Sequence, residues 1–265
     1  MVRAAPEVGP IFTAALLAAA FQLPSCAPPT AEPDASVPDG PTITSVEPAD
    51  GATDVATNPI IRIGVSDHLD DWTVDASSFR LYSGAVSYWL MAYYDPVARR
   101  AVVWPSATLR EGAYWVVEAR EGVTGREGGP LAAGHVTGFT TGADEGDDAP
   151  FAIPDFEAEV RPIFGARCAS CHGGSGPVAG LALDTADGVV ETALGAPSAG
   201  DDAMDRIVPG RPGRSFLVYK IIDDDTVSGV RMPRAFAEGE SAAPLSGTEQ
   251  QTISDWIAAG AATGP

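Results

Sequence analysis

Between residues 42 and 142 the apolar positions come in short runs, each closed by Gly, Pro or Asp. Ile43-Thr44-Ser45-Val46, Ile60 to Val65, Phe79 to Tyr82, Val86 to Tyr93, Ala101 to Trp104, Tyr114 to Glu118 and Val136 to Thr140 are rich in β-branched and aromatic side chains. Such runs fit a pleated, half-buried surface, and their regular spacing predicts an all-β sandwich. Beyond residue 151 the period changes. Phe156, Val160, Ile163 and Phe164 stand at i, i+4, i+7 and i+8, one apolar stripe of a helix, with Pro162 inside it to bend or restart the turn. At the far end Ser246-Gly247-Thr248-Glu249 is a capping box. It opens a helix whose Ile253, Trp256 and Ile257 form a matching stripe, stopping near Gly260. The predicted fold class is multidomain: an all-β sandwich over 42–142, then a mainly α domain over 151–265, joined by an acidic linker, 143–150.

Residues 1–25 read as an export signal: Arg3 supplies a positive charge, and Ile11 to Phe21 is apolar but short for a membrane span. The stretch ends in Leu23-Pro24-Ser25-Cys26, which resembles the lipobox of bacterial lipoproteins, with Cys26 as the residue that takes the lipid. Pro24 and Glu7 depart from the usual pattern, and the alternative is an ordinary signal cut nearby that leaves Cys26 free. Residues 26–41 are a Pro-rich tether with little to bury, able to hold a folded body off a lipid surface.

Charge narrows the partners. Against 36 acids stand 16 bases, a formal net charge of −20 in 265 residues, which disfavours nucleic acid and suits an exported surface or a basic partner. Lys220 is the only lysine.

The candidate chemistry lies in Cys168-Ala169-Ser170-Cys171-His172. Two thiols three apart with a histidine directly after the second is the attachment signature of c-type haem. On one helical turn both sulfurs face one side, where each can form a thioether to a vinyl group, and His172 then offers a ring nitrogen to the iron. A zinc site would want four ligands, and no second Cys/His pair follows; a thioredoxin-like motif would sit in a βαβ pattern that is missing here. After the motif only Met204 and Met232 can supply a thioether. Met232 precedes Pro233 in the loop before the capped helix, where proline stiffens the chain, and is favoured over Met204 as the distal ligand. His68 and His135 belong to the other domain and read as surface residues. Phe164, Phe216, Leu217, Ile221, Ile222 and Trp256 are expected to wall the haem. Arg206, Arg211, Arg214 and Arg231 are candidates for its propionates or simply surface charges. Asp67, Asp70 and Asp71 are either a solvated loop or calcium ligands, and Asp223-Asp224-Asp225 reads as a solvated turn.

Two resemblances fit these segments. Val46-Glu47-Pro48-Ala49-Asp50-Gly51-Ala52, Leu109 to Tyr114 and the closing Phe139-Thr140-Thr141 resemble the bacterial Ig-like domain of S-layer and other surface proteins. From Phe156 to Ala261 the chain resembles the planctomycete-type cytochrome c domain. The residues that carry this are Cys168 to Gly173, Gly180-Leu181-Ala182-Leu183-Asp184, Ile207 to Pro212, Ser215 to Lys220, Met232-Pro233, Leu245-Ser246, Trp256-Ile257 and Gly260-Ala261. Several members have a second proline where Arg234 stands. The resemblance implies one covalent haem c held by Cys168 and Cys171, with His172 and Met232 as axial ligands, attached outside the cytoplasm. The function expected is electron transfer to and from a redox partner protein, without enzymatic activity, on an extracytoplasmic lipoprotein anchored to a bacterial membrane through Cys26. An enzyme or gas sensor would need an open iron position. The remaining alternative is an adhesive or structural surface lipoprotein whose haem domain is sensory or accessory.

Overall fold

The alternating runs fold as two sheets packed face to face. One orders β1 (Ile43–Glu47), β3 (Ile61–Val65), β7 (Arg100–Pro105) and β6 (Leu90–Asp95), with every neighbouring pair antiparallel. The other orders β2 (Ala52–Val55), β9 (Gly134–Thr141), β8 (Tyr114–Ala119), β4 (Phe79–Ser83) and β5 (Val86–Tyr88). This computed structural model describes residues 1, 39–200, 204–222, 224, 226–234 and 242–264. The export signal 1–25, Cys26 and the tether up to residue 38 (apart from Met1) lie outside the described residues.

Alternation decides which side chains go inside. Along β3, Ile61, Ile63 and Val65 are buried, while Arg62 between them turns outward to Glu47 and Asp148, 3.8 and 3.5 Å away. Facing them across the sandwich are Phe79, Leu81, Trp115, Val117 and Phe139, all buried. The run Val86 to Tyr93 breaks at Trp89. Its first part pairs with β4 in one sheet and its second with β7 in the other, so the chain crosses between sheets and leaves Trp89 78% exposed. The turn-rich stretch Pro48 to Pro59 contains β2, which pairs parallel with β9.

The acidic segment 143–150 is laid along the sandwich. Thr57 N–H donates to the Asp144 carbonyl at 2.9 Å, and the Asn58 side chain bonds the Gly146 backbone in both directions, at 2.9 and 2.6 Å. Phe151 then packs edge-on against Tyr93.

The helical part opens with a π-helical turn, Phe156–Val160, capped by the Asp155 carboxylate, which accepts from Ala158 N–H at 2.7 Å. It runs on into α1 (Arg161–Arg167), where Pro162 restarts the helix in its first turn, the place where a missing N–H costs nothing. Helices α2 (Ala186–Thr192), α3 (Phe216–Ile222) and α4 (Gly247–Ala258) follow. The capping box of α4 is formed both ways: Ser246 Oγ accepts from Glu249 N–H, and Glu249 Oε2 from Ser246 N–H. Trp256 of α4 is buried between Phe156 and Phe164, with ring centroids 5.5 and 6.0 Å away, and its indole N–H donates to the Ala262 carbonyl.

Residues 37–265 form one compact unit. The strand-rich and helical parts meet through residues that sequence reasoning placed in water. Asp71 is 2% exposed and lies between Arg211 and Arg214, at 3.6 and 3.7 Å, close enough to pair in charge but too far to hydrogen-bond. Asp70 caps a short 3-10 turn by accepting from Trp72 N–H, and Asp67 accepts from Ser66 Oγ. These acids are thus neither a purely solvated loop nor a gathered calcium site. His68 is buried rather than on the surface, whereas His135 is exposed, beside Asp50. Asp224 is half-buried as a residue, with its side chain only 2% exposed. Among the described residues no helix is long and apolar enough to cross a membrane.

Candidate functional site

Helix α1 ends at Cys168, whose N–H donates to the Phe164 carbonyl, and the chain continues in a tight turn. Cys171 N–H and His172 N–H both donate to the Cys168 carbonyl, at 3.1 and 2.9 Å, so the two thiols and the imidazole share one turn. His172 is then fixed on its other side. Its Nδ1 lies 3.1 Å from the Val178 carbonyl oxygen. A carbonyl only accepts, so Nδ1 carries the proton and Nε2 keeps its lone pair. Burial also holds the His172 pKa below the usual histidine value, against the pull of its backbone bonds to Val178 and Leu181. The imidazole is a neutral base with one nitrogen available to a metal.

Cys168, His172 and Met232 all line one cavity of about 340 Å³. Its walls are largely apolar: Leu181, Leu183, Ile207, Phe216, Leu217, Ile221 and Val230. Cys168 is shielded enough that burial pushes its thiol up to about 11. Cys171 is absent from that lining; its Sγ lies 3.8 Å from Ser170 Oγ. Both thiols are free. The loop bearing Met232 is tied to α3, because Met232 N–H donates to the Lys220 carbonyl at 2.7 Å. The Met232–Pro233 peptide is cis.

Met204 stands elsewhere. It is buried against Tyr219 and Val227, and Arg126 Nη2 donates to its sulfur at 3.1 Å. Of the apolar wall expected, Phe216, Leu217 and Ile221 take their places, while Phe164, Ile222 and Trp256 are absent from the lining. Phe164 and Trp256 belong instead to the aromatic core beneath. Among the arginines, Arg206 lines the cavity, but its guanidinium donates to the carbonyls of Ala179, Gly180 and Thr192. Arg211 and Arg214 face Asp71, and Arg231 donates to the Ala242 carbonyl. Lys220, noticed in the sequence for its rarity and as the end of the Ser215 to Lys220 stretch, lines the cavity, and its ammonium donates to the Ser228 carbonyl at 3.0 Å. Its position at i+4 from Phe216 on α3 is the local signal that places it on the cavity side of the helix.

The residues present fit a porphyrin-borne iron. A largely apolar cavity holds a neutral imidazole with a free lone pair, a thioether and a thiol, and a second thiol sits on the same turn. Among the described residues no group of three or more His, Cys, Asp or Glu is gathered that could hold a metal ion by itself.

Comparison with known proteins follows the same division. No curated protein shows significant similarity to the chain. Solved structures similar to part of it include the S-layer protein rSbsC(31-844), at 15% identity over 38% of this chain, with a TM-score of 0.31. Another is CopC from Methylosinus trichosporium OB3b, at 16% identity over 41% of this chain and 98% of that one, with a TM-score of 0.32. A third is L,D-transpeptidase 1 of Mycobacterium tuberculosis, at 17% identity over 38% of this chain and 39% of that one, with a TM-score of 0.27. The chain spans only 14% of the length of the S-layer protein. Two protein families match in order: residues 38–141 match the bacterial Ig-like domain and residues 168–234 the planctomycete cytochrome C. The chain therefore joins a bacterial Ig-like domain to a haem-binding, cytochrome-like domain of the planctomycete cytochrome C family.

Proposed function

We propose that this chain is an extracytoplasmic electron carrier with one covalent haem c. Cys168 and Cys171 would form the thioethers, and His172 and Met232 would be the axial ligands. The observation that carries this reading is the meeting of Cys168, His172 and Met232 on one apolar cavity, with His172 Nδ1 committed to the Val178 carbonyl. The haem, when bound, supplies a one-electron couple. The chain's own residues orient the imidazole, exclude water with Leu183, Ile207 and Leu217, and hold Met232 to α3 through the Lys220 carbonyl. With His172 and Met232 both given to the iron, no open position would be left there for a substrate, and the role proposed is that of a carrier rather than an enzyme. Its partners are a redox protein and, through lipid on Cys26, the surface of a bacterial membrane. The family likenesses, to an Ig-like domain and a cytochrome, support a place outside the cytoplasm.

The test is to mature the full chain in a host that attaches haem c and to record its mass and absorption spectrum. The mass of one haem added to the chain, and reversible reduction by a mild reductant, is the expected result. A colourless protein with both thiols open to alkylation overturns the proposal.

A further inference from the structure

Helix α3 works on two sides. Phe216, Leu217, Lys220 and Ile221 wall the cavity. Tyr219 points the other way, into the junction with the sandwich, where its ring meets that of His68 edge-on at 5.3 Å between centroids. Beyond α3 the chain turns back through Asp224, whose N–H donates to the Tyr219 carbonyl at 3.2 Å. One oxygen of this carboxylate, Oδ1, accepts from the N–H and hydroxyl of Thr226. The other, Oδ2, lies 2.6 Å from His68 Nε2, without the alignment of a regular hydrogen bond; burial lowers the His68 pKa and favours the neutral ring, so the carboxylate meets the edge of an imidazole rather than a full positive charge.

Asp224 thus ties the start of the segment 226–234 to the Ig-like domain. The far part of that segment is tied to α3 by the Ser228 carbonyl and Met232 N–H, both bonded to Lys220. His68 is itself held. It is buried, and its Nδ1 lies 2.7 Å from the hydroxyl of the fully buried Tyr94. The Asp224 carboxylate can only accept, so the proton of the ring is favoured at Nε2, which leaves Nδ1 to accept from the Tyr94 hydroxyl. A buried carboxylate that loses a close partner must move towards water or take up a proton.

We infer that His68 is a positioning residue for Met232, acting through Asp224 to fix the segment that carries the thioether, so that the Ig-like domain forms part of the support of the haem site. This rests on the reading of Met232 as the distal ligand. The test uses the full-length holoprotein with His68→Ala, His68→Gln, Tyr94→Phe and Met232→Ala. The readouts are the weak long-wavelength absorption band of thioether-bound ferric haem, the affinity for carbon monoxide, and unfolding by urea.

His68→Ala is expected to shrink the band and raise carbon monoxide affinity about tenfold, the usual scale for losing a residue that orients a ligand. His68→Gln, whose amide can both accept from Tyr94 and donate to Asp224, is expected to restore both. Should His68→Ala not fold, Tyr94→Phe carries the test and is expected to shift both readouts in the same direction. A His68→Ala protein that loses stability but keeps the band and the parent's affinity overturns the inference, as does a glutamine variant no better than alanine. Met232→Ala separates the two ideas. If it leaves the band unchanged, the ligand assignment itself falls; if it removes the band while His68→Ala does not, only the positioning role falls.

Discussion

The Asp71 carboxylate, shut away under the Ig-like domain, lies 3.6 Å from the guanidinium of Arg211 in the cytochrome-like domain. Burial raises its pKa from 3.8 to about 6, with Arg211 and Arg214 opposing the shift. Desolvation therefore outweighs the two cations. A carboxyl whose folded pKa lies above its unfolded value binds protons more tightly when folded. Its contribution to stability is complete below pH 3.8 and is lost as pH rises through about 6. Asp71→Asn removes that titration. Urea unfolding of the parent and the variant from pH 4 to pH 7 is expected to show the parent losing up to about 3 kcal/mol relative to Asp71→Asn as pH rises. A difference that is flat with pH, or that grows in the parent's favour, contradicts the burial argument.

The two methionines after the motif separate by where they stand. Met232 lines the cavity with His172, while Met204 packs against Tyr219 and Val227. Met232→Ala is expected to lower the reduction potential by about 60 mV or more, at least tenfold in a one-electron equilibrium, with little change in fold. Met204→Ala is expected to leave the potential unchanged and to cost roughly 2–5 kcal/mol through its cavity. Potentiometric titration beside thermal unfolding distinguishes the two, and an interchange of the effects would assign the thioether to Met204.

Much of this was legible in the sequence, and for a shared reason: local rules fix local features. The alternation in Ile61 to Val65 and the capping box at Ser246 need only their own neighbours, and each takes the predicted local form, while Cys168, Cys171 and His172 share one turn past the end of α1 with only Cys168 and His172 on the cavity rather than both sulfurs on one side. What was not legible depends on residues far apart in the chain. Strand β2 hides among turn residues because its pairing is supplied by β9. The burial of His68, Asp71 and Asp224 depends on the docking of two domains, and nothing near them in sequence announces their partners. Arg211 and Arg214, read as propionate candidates, are taken up by that same interface.

Trp256 links the closing helix to the opening one. Fully buried between Phe156 and Phe164, it anchors the end of α4 through its indole bond to Ala262. Trp256→Ala is expected to cost about 3–5 kcal/mol, since the rings around it cannot close the space. Ser246→Ala, which removes one half of the capping box at the other end of α4, is expected to cost about 1 kcal/mol. Denaturant unfolding of the two variants checks the ranking, and a Ser246→Ala loss as large as that of Trp256→Ala would mean that the helix start, not its aromatic seam, holds the domain together.

The thiol of Cys168 gives a test that needs no haem. Burial against the cavity wall raises its pKa to about 11, beyond what the neighbouring Arg167 offsets. At pH 8 about one thiol in a thousand is then ionised, and the thiolate is the form that reacts with an alkylating agent. In full-length protein made without haem attachment, iodoacetamide labelling of Cys168 is expected to be slow at pH 8 and to speed up about tenfold per pH unit until near pH 11. Peptide mass mapping over a pH series reads this directly. A labelling rate that levels off below pH 9 would mean that the cavity is open to water around Cys168 and that the dry wall inferred for the cofactor is absent.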